Sequence, residues 1–155
     1  MRVRVAYDER YWYPDEGGAV WLAGYSLVDP GSGRYLARDD PELGRLRLLV
    51  TGVAGAGRHH GEELQSEAAS PGRPLVLRRD PANEADPNAV AVDTVDGEQV
   101  GWVPRELAAG LAPQLDGGER WSAVVLREQR ASPRDLRSGL TMLLAPAESI
   151  EIERR

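Results

Sequence analysis

The sequence predicts a mainly β fold, a small curled sheet or barrel of about five or six strands with two short helices. Segments of strand length dominate, some alternating in polarity, as in "AVAVDT" (89–94), and some continuously apolar, as in "AVWLAGYSLV" (19–28). Gly, Pro and Asp punctuate them at turn spacing, and only two stretches read as helix.

From the N-terminus, "MRVRVAY" (1–7) and residues 19–28 read as strands, and "DPGSG" (29–33) followed by "RYLARD" reads as a hairpin with a Gly-containing loop. Residues 1–45 therefore form a strand-rich extension, which holds all 5 tyrosines and Trp12 and Trp21 among the 4 tryptophans. Tyr7, Trp21 and Tyr25 either pack this extension on the main body or contribute to an aromatic surface for a protein partner or a homodimer. Asp8, Glu9, Asp15 and Glu16 would repel phosphate there.

A continuous pattern occupies residues 46–150, with a charged tail at 151–155. "RLRLLVTGV" (45–53) reads as a strand, "GRHHGEELQSEAA" (57–69) as a polar loop leading into a short helix over roughly 61–69, "SPGRP" as a turn and "LVLRRD" (75–80) as a strand. The alternating 89–94 segment passes through "VDGE" into "QVGWV" (99–103), a hairpin. A helix begins at Pro104, a good first-turn residue, and sets Leu107, Leu111 and Leu115 on one face until Gly117 and Gly118 stop it. Strands at 120–129 and 138–147, joined by the polar "RASPRDLR", close the chain.

Composition narrows the function. At 155 residues the chain can bury a real core, and with no cysteine it has neither disulfides nor thiolate zinc sites. No apolar run approaches 18 residues and "MRVRVAYDER" lacks a signal-peptide core, so we expect a cytoplasmic protein with no membrane partner. The net charge of −6 and pI near 5.0 argue against a generic nucleic-acid coat, whose affinity comes from phosphate neutralisation. Any nucleic-acid site must be local. All 19 basic residues are Arg, a bias to which we give no functional weight. Without Lys there is no phosphate-binding P-loop, nothing resembles a nucleophile elbow, and no catalytic residue is expected. His59 and His60 are adjacent, which supplies no third ligand at a recognisable spacing, so neither zinc nor another metal cofactor is expected.

The only asparagines, Asn83 and Asn88, lie in "RRDPANEADPNAVAVDTVDGEQVGW" (78–102). Asp80-Pro81 ends the incoming strand, and Asn83, Asp86 and Asn88 are side chains that hold turns by bonding nearby amides. Such a loop is either self-satisfied or presents some of these groups outward to a hydroxyl or a base edge.

The string "LVLRRDPANEADPNAVAVDTVDGEQVGWVPRELAAGLAPQLDGG" resembles the HIRAN domain in its ordered motifs: an acidic residue and Pro, Asn with Asp three residues on, Asn-Ala-Val, a turn Gly, Val-Gly-aromatic, and a helix with "ELA..LA". The resemblance spans most of 46–146 and leaves 1–45 uncovered. It implies an OB-like small β barrel, in a family found in fork-remodelling helicases and in bacterial proteins, whose helicase-linked members bind single-stranded DNA ends and recognise the 3′-hydroxyl. It places Asp86 at the carboxylate that accepts from that hydroxyl, with Asn83 beside it supporting the loop or the nucleotide. Trp102 and Arg105 match positions on the DNA path, and Arg58 with His59 or His60 falls where the family carries an Arg and an aromatic residue. Arg58, Arg78, Arg79 and Arg105 flank the loop, Arg79 among the candidate phosphate contacts. Two departures stand out: Ala85 and Leu140 occupy positions of stacking aromatics, each worth roughly 1–3 kcal/mol.

The leading expectation is a non-catalytic module for single-stranded DNA or its 3′ end, in repair or fork processing. The alternatives are a protein-interaction adaptor acting through residues 1–45 and a metal-dependent enzyme acting on DNA ends.

Overall fold

A computed structural model describes the backbone of residues 3–15, 18–29, 31–130 and 135–152, and the side chains of 24–29, 31–56, 59–130 and 135–152. The chain opens with a long antiparallel hairpin, β1 (Val3–Asp15) and β2 (Gly18–Val28), in one register from Arg4 opposite Val28 to Trp12 opposite Val20, with a shift before Asp15 opposite Gly18. The carboxylate of Asp29 then accepts from the Gly31 amide at 3.1 Å and the Ser32 hydroxyl at 3.0 Å. This turn returns the chain as β3 (Tyr35–Leu36) against β2, the hairpin expected from the Gly-containing loop.

A helix with no periodic signature follows, α1 (Pro41–Arg45), because five residues are too few to display a period. Asp40 caps it by accepting the Glu42 amide at 2.9 Å, and Pro41 sits in the first turn. After β4 (Leu49–Gly52) come α2 (Ala56–His59) and two 3₁₀ turns, Glu63–Gln65 and Glu67–Ala69, in place of the single helix expected over 61–69. Ser66 explains the division: its backbone is extended, and its hydroxyl accepts the Ala68 amide at 3.2 Å, so it ends one turn and caps the next. The remaining elements are β5 (Pro74–Arg79), β6 (Val90–Thr94), β7 (Gln99–Trp102), α3 (Arg105–Asp116), β8 (Trp121–Arg130), β9 (Gly139–Pro146) and β10 (Ile150–Ile152).

The described strands form one ten-stranded sheet in the order β10-β1-β2-β8-β5-β6-β7, with β3 on β2, β9 on β8 and β4 on β9. Pairing is antiparallel except where β10 lies parallel to β1. β8 is the hinge of the architecture. Along one edge it pairs with β9; along the other it pairs with β5 at Ala123 and Val124 and with β2 from Arg127 to Arg130. A mainly β fold with few short helices is therefore what forms, but the expected barrel does not close. The second half of β8 is taken by β2, and among the described residues β7 pairs with the segment after β4 through the isolated bridge Ala54–Trp102 and not through a continued ladder.

β8 and β9 are buried on both faces, which is why "AVVL" and "LTMLLA" run apolar without alternation. Val125, Met142 and Leu144 join one core with Leu64, Leu75, Val90, Val92, Val100 and Leu111. Val124, Leu126, Leu143 and Ala145 join a second with Tyr25, Leu27, Leu36, Leu43 and Leu48. Of the α3 leucines, Leu111 is buried, and Leu107 and Leu115 pack at the edge of the first core. Residues on both sides of position 45 thus share the second core.

Candidate nucleic-acid interface

The loop between β5 and β6 is held from within. Asn83 Oδ1 accepts the amides of Ala85 at 2.9 Å and Asp86 at 3.1 Å, while its Nδ2 donates to Asp80 Oδ2 at 3.2 Å. Asp86 Oδ1 accepts the Asn88 amide at 2.9 Å, and the Asp86 carbonyl accepts the Ala89 amide at 3.1 Å. The side-chain carbonyl of Asn83 is spent on the loop, whereas Asn88 contributes its backbone and leaves its side chain exposed.

The second oxygen of Asp86 is different. Among the described residues Oδ2 takes no hydrogen bond, and the cation within ion-pair distance of it is Arg105, whose Nε lies at 3.8 Å. Asp86 is largely covered, at 18% exposure, whereas Arg105, the first residue of α3, is 77% exposed. A largely covered carboxylate oxygen and an exposed guanidinium therefore face the same space. That space is a cavity of about 340 Å³ lined by Ala54, Asn83, Ala85, Asp86, Ala89, Trp102, Val103 and Arg105. Four predicted site residues, Asn83, Asp86, Trp102 and Arg105, line this one cavity.

The indole reaches it because β7 is tied to the segment after β4: the Trp102 amide donates to the Ala54 carbonyl at 2.9 Å and the Ala54 amide to the Trp102 carbonyl at 2.8 Å. Gly101 permits this approach. A Cβ there would stand 2.5 Å from the Ala54 carbonyl oxygen. Trp102 is half-buried, neither enclosed in the core nor fully presented.

Arg79 does not line the cavity; it holds the loop from behind. Its guanidinium donates to Asp116 Oδ1 at 2.9 Å and Oδ2 at 3.2 Å, to the Ala89 carbonyl at 2.7 Å and to the Pro87 carbonyl at 3.0 Å. The hydrogen bonds to Asp116 raise the Arg79 pKa and lower that of Asp116. Arg78 is likewise occupied, forked onto Asp93 at 2.8 and 3.2 Å. Neither partner was legible beforehand, since Asp116 lies 37 residues from Arg79. His59, at the end of α2, lines a different and larger cavity, and His60 is half-buried behind it. The backbone of Arg58 lies in α2, and its side chain lies outside the described residues. Among the described residues no three His, Asp or Glu side chains converge on a metal-binding arrangement. No helix of the described residues is long and apolar enough to cross a membrane. Leu140 is in the first core at 2% exposure, so it presents no stacking face, while Ala85 is exposed at the cavity rim.

Fold and cavity together define a small, mainly β domain carrying a polar site built on loops. The chain belongs to the HIRAN domain family, whose model matches residues 40–144, more than half of the chain. The helicase-like transcription factor of Oryctolagus cuniculus is 48% identical over 42 residues, which make up 27% of this chain and 4% of that protein. The chain therefore spans only a small fraction of that relative. Among solved structures, the HIRAN domain of human HLTF is 27% identical with a TM-score of 0.46, covering 66% of this chain and 78% of that one. A structure of the HLTF HIRAN domain in its DNA-bound conformation is 28% identical with a TM-score of 0.45, over the same shares of the two chains. A protein from Lactobacillus plantarum is 21% identical with a TM-score of 0.47, covering 61% of this chain and 89% of that one.

Proposed function

We propose that the protein is a non-catalytic nucleic-acid-binding module of the cytoplasm, and that its cavity takes the 3′ end of single-stranded DNA during repair or fork processing. The observation that carries the reading is the uncommitted Asp86 Oδ2 beside Trp102 and Arg105 in one cavity. A carboxylate is acceptor-only, so it takes a hydrogen bond from a terminal hydroxyl and repels a terminal phosphate. The Trp102 ring offers a face to the last base, and Arg105, exposed and, among the described residues, in ionic contact with Asp86 alone at 3.8 Å, can turn toward the adjoining phosphate. Family membership supports the same reading. With Ala85 and Leu140 offering no aromatic face, stacking rests on Trp102, and binding is expected to be weak.

The test is fluorescence anisotropy with short single strands ending in 3′-hydroxyl or 3′-phosphate, using wild type, Asp86→Asn and Asp86→Ala. The hydroxyl end should bind more tightly to wild type, and both variants should lose the preference while retaining the wild-type melting temperature within a few degrees. Equal affinity for the two ends in wild type, or an undiminished preference in the variants, would reject the reading.

A further inference from the structure

We infer that the larger cavity, about 690 Å³ and including Arg38, Gly55 and His59 in its lining, is a second subsite of the same interface, where Arg38 contacts a phosphodiester 5′ of the terminal nucleotide. The inference rests on the end-binding reading above. Three observations lead to it.

The first is continuity. Ala54 lines the end cavity and Gly55 the larger one. A Cβ at Gly55 would lie 3.5 Å from His59 Cδ2 and 3.7 Å from Trp102 Cδ1, so the two rings flank a position that has no side chain. A strand whose last base meets Trp102 leaves the end cavity over a gap between the rings.

The second is charge. No Asp or Glu is among the residues lining the larger cavity. Among the described residues two arginines line it, and one of these is available. Arg137 is 9% exposed and donates to Glu128, to the Leu64 carbonyl at 3.1 Å, to the Ser66 carbonyl at 2.8 Å and to Ser70 Oγ at 2.9 Å. Arg38 is exposed and, among the described residues, makes neither a hydrogen bond nor an ion pair. In a protein of net charge −6, an uncompensated guanidinium beside a cavity free of carboxylates is a local exception to the repulsion that phosphate meets elsewhere.

The third is origin. Arg38 precedes residue 40, where the family match begins, so this cation is supplied by the segment that joins the N-terminal hairpin to the family domain. Gly52, Gly55, Ala56 and Gly139 keep the walls low, which suits a phosphodiester crossing an open surface better than an enclosed small molecule.

The experiment uses the full chain and thymidine mono-, di-, tri- and tetranucleotides with free 3′-hydroxyls, titrated at several salt concentrations with wild type, Arg38→Ala, Arg73→Ala and Asp86→Ala. Arg73 is an exposed arginine outside the cavity and controls for loss of one positive charge. Wild-type affinity should rise with length, and Arg38→Ala should bind the tetranucleotide about 3- to 10-fold more weakly, with a salt slope smaller by about 0.7 and unchanged mononucleotide binding. Arg73→Ala should follow wild type. If Arg38→Ala matches wild type at every length and salt, or Arg73→Ala weakens binding as much, the second subsite is refuted while the end site stands. If wild type binds no oligonucleotide, both fall; with a 3′-phosphate tetranucleotide added for comparison, Asp86→Ala losing the preference for the 3′-hydroxyl form with its salt slope intact identifies the end site separately.

Discussion

A methyl group at position 101 would lie 2.5 Å from both the Ala54 carbonyl oxygen and Val53 Cγ1, closer than packed atoms tolerate. Gly101→Ala must therefore push β7 away from the Ala54 bridge that carries Trp102. A cost of about 1–3 kcal/mol is expected in urea unfolding, together with weaker binding, because the displaced indole no longer walls the cavity. Asn83 works by acceptance: its single oxygen serves two amides, and Asn83→Ala returns both to water. The loss should be about 1–2 kcal/mol and should appear locally, as faster hydrogen exchange at Ala85 and Asp86 than in wild type. Unchanged exchange at those amides would show that the loop is held by something else. The Asn83–Asp86 spacing was readable from sequence because these bonds span two and three residues; whether a given oxygen turned inward or outward was not, because Asp86 Oδ2 faces Trp102 and Arg105 from distant elements.

The element that positions the loop is the pairing of β5 with α3. Arg79 forks onto Asp116 and also takes two loop carbonyls, so one side chain ties the strand end, the loop and the helix end. Arg79→Lys should not substitute, since one ammonium cannot reproduce the planar fork. We expect Arg79→Lys and Arg79→Ala alike to lower the melting temperature by a few degrees and to speed amide exchange across 80–89. Beside the larger cavity Glu128, at 4% exposure, lies between Arg130 and Arg137 and anchors the end of β8. Burial alone would raise its pKa, but hydrogen bonds from Arg130 and Arg137 outweigh it and hold the carboxyl below the ordinary value of 4.5. A depressed folded value stabilises the protein above the unfolded value, and that contribution is lost as pH falls through the folded one. Stability should drop on acidification below pH 4.5, and Glu128→Gln, less stable at neutral pH, should show a flatter acid limb in chemical unfolding. An identical acid limb in both proteins would refute this assignment.

At the scale of the whole molecule, two cores share one pair of strands. Leu27, Val28, Leu36 and Leu43 are all buried at 6% exposure or less, and Leu27, Leu36 and Leu43 lie in the second core. At about 1.5–3 kcal/mol per buried aliphatic side chain they contribute roughly 6–12 kcal/mol, as much as the net stability of an ordinary domain. A chain beginning at residue 46 would leave Val124, Leu126, Leu143 and Ala145 uncovered on one face of β8 and β9. We expect it to lose cooperative thermal unfolding and to aggregate. A monomeric truncated chain with a sharp transition near that of wild type would show that the extension is energetically separable.

The sequence by itself determined the class, the turns and most of the strands, because alternation, Asp-Pro and Gly signals, and side-chain-to-amide spacings act over a few residues. It also carried the family motif and, with it, Asn83, Asp86, Trp102 and Arg105 as a group. Only the tertiary structure decided that Arg79 is committed to Asp116, that β8 pairs with β9, β5 and β2 and lies between two cores, that the barrel stays open, and that Gly55 stands between the rings of His59 and Trp102. Those outcomes depend on contacts between residues tens of positions apart, and such pairings are selected by burial and shape after the local elements have formed.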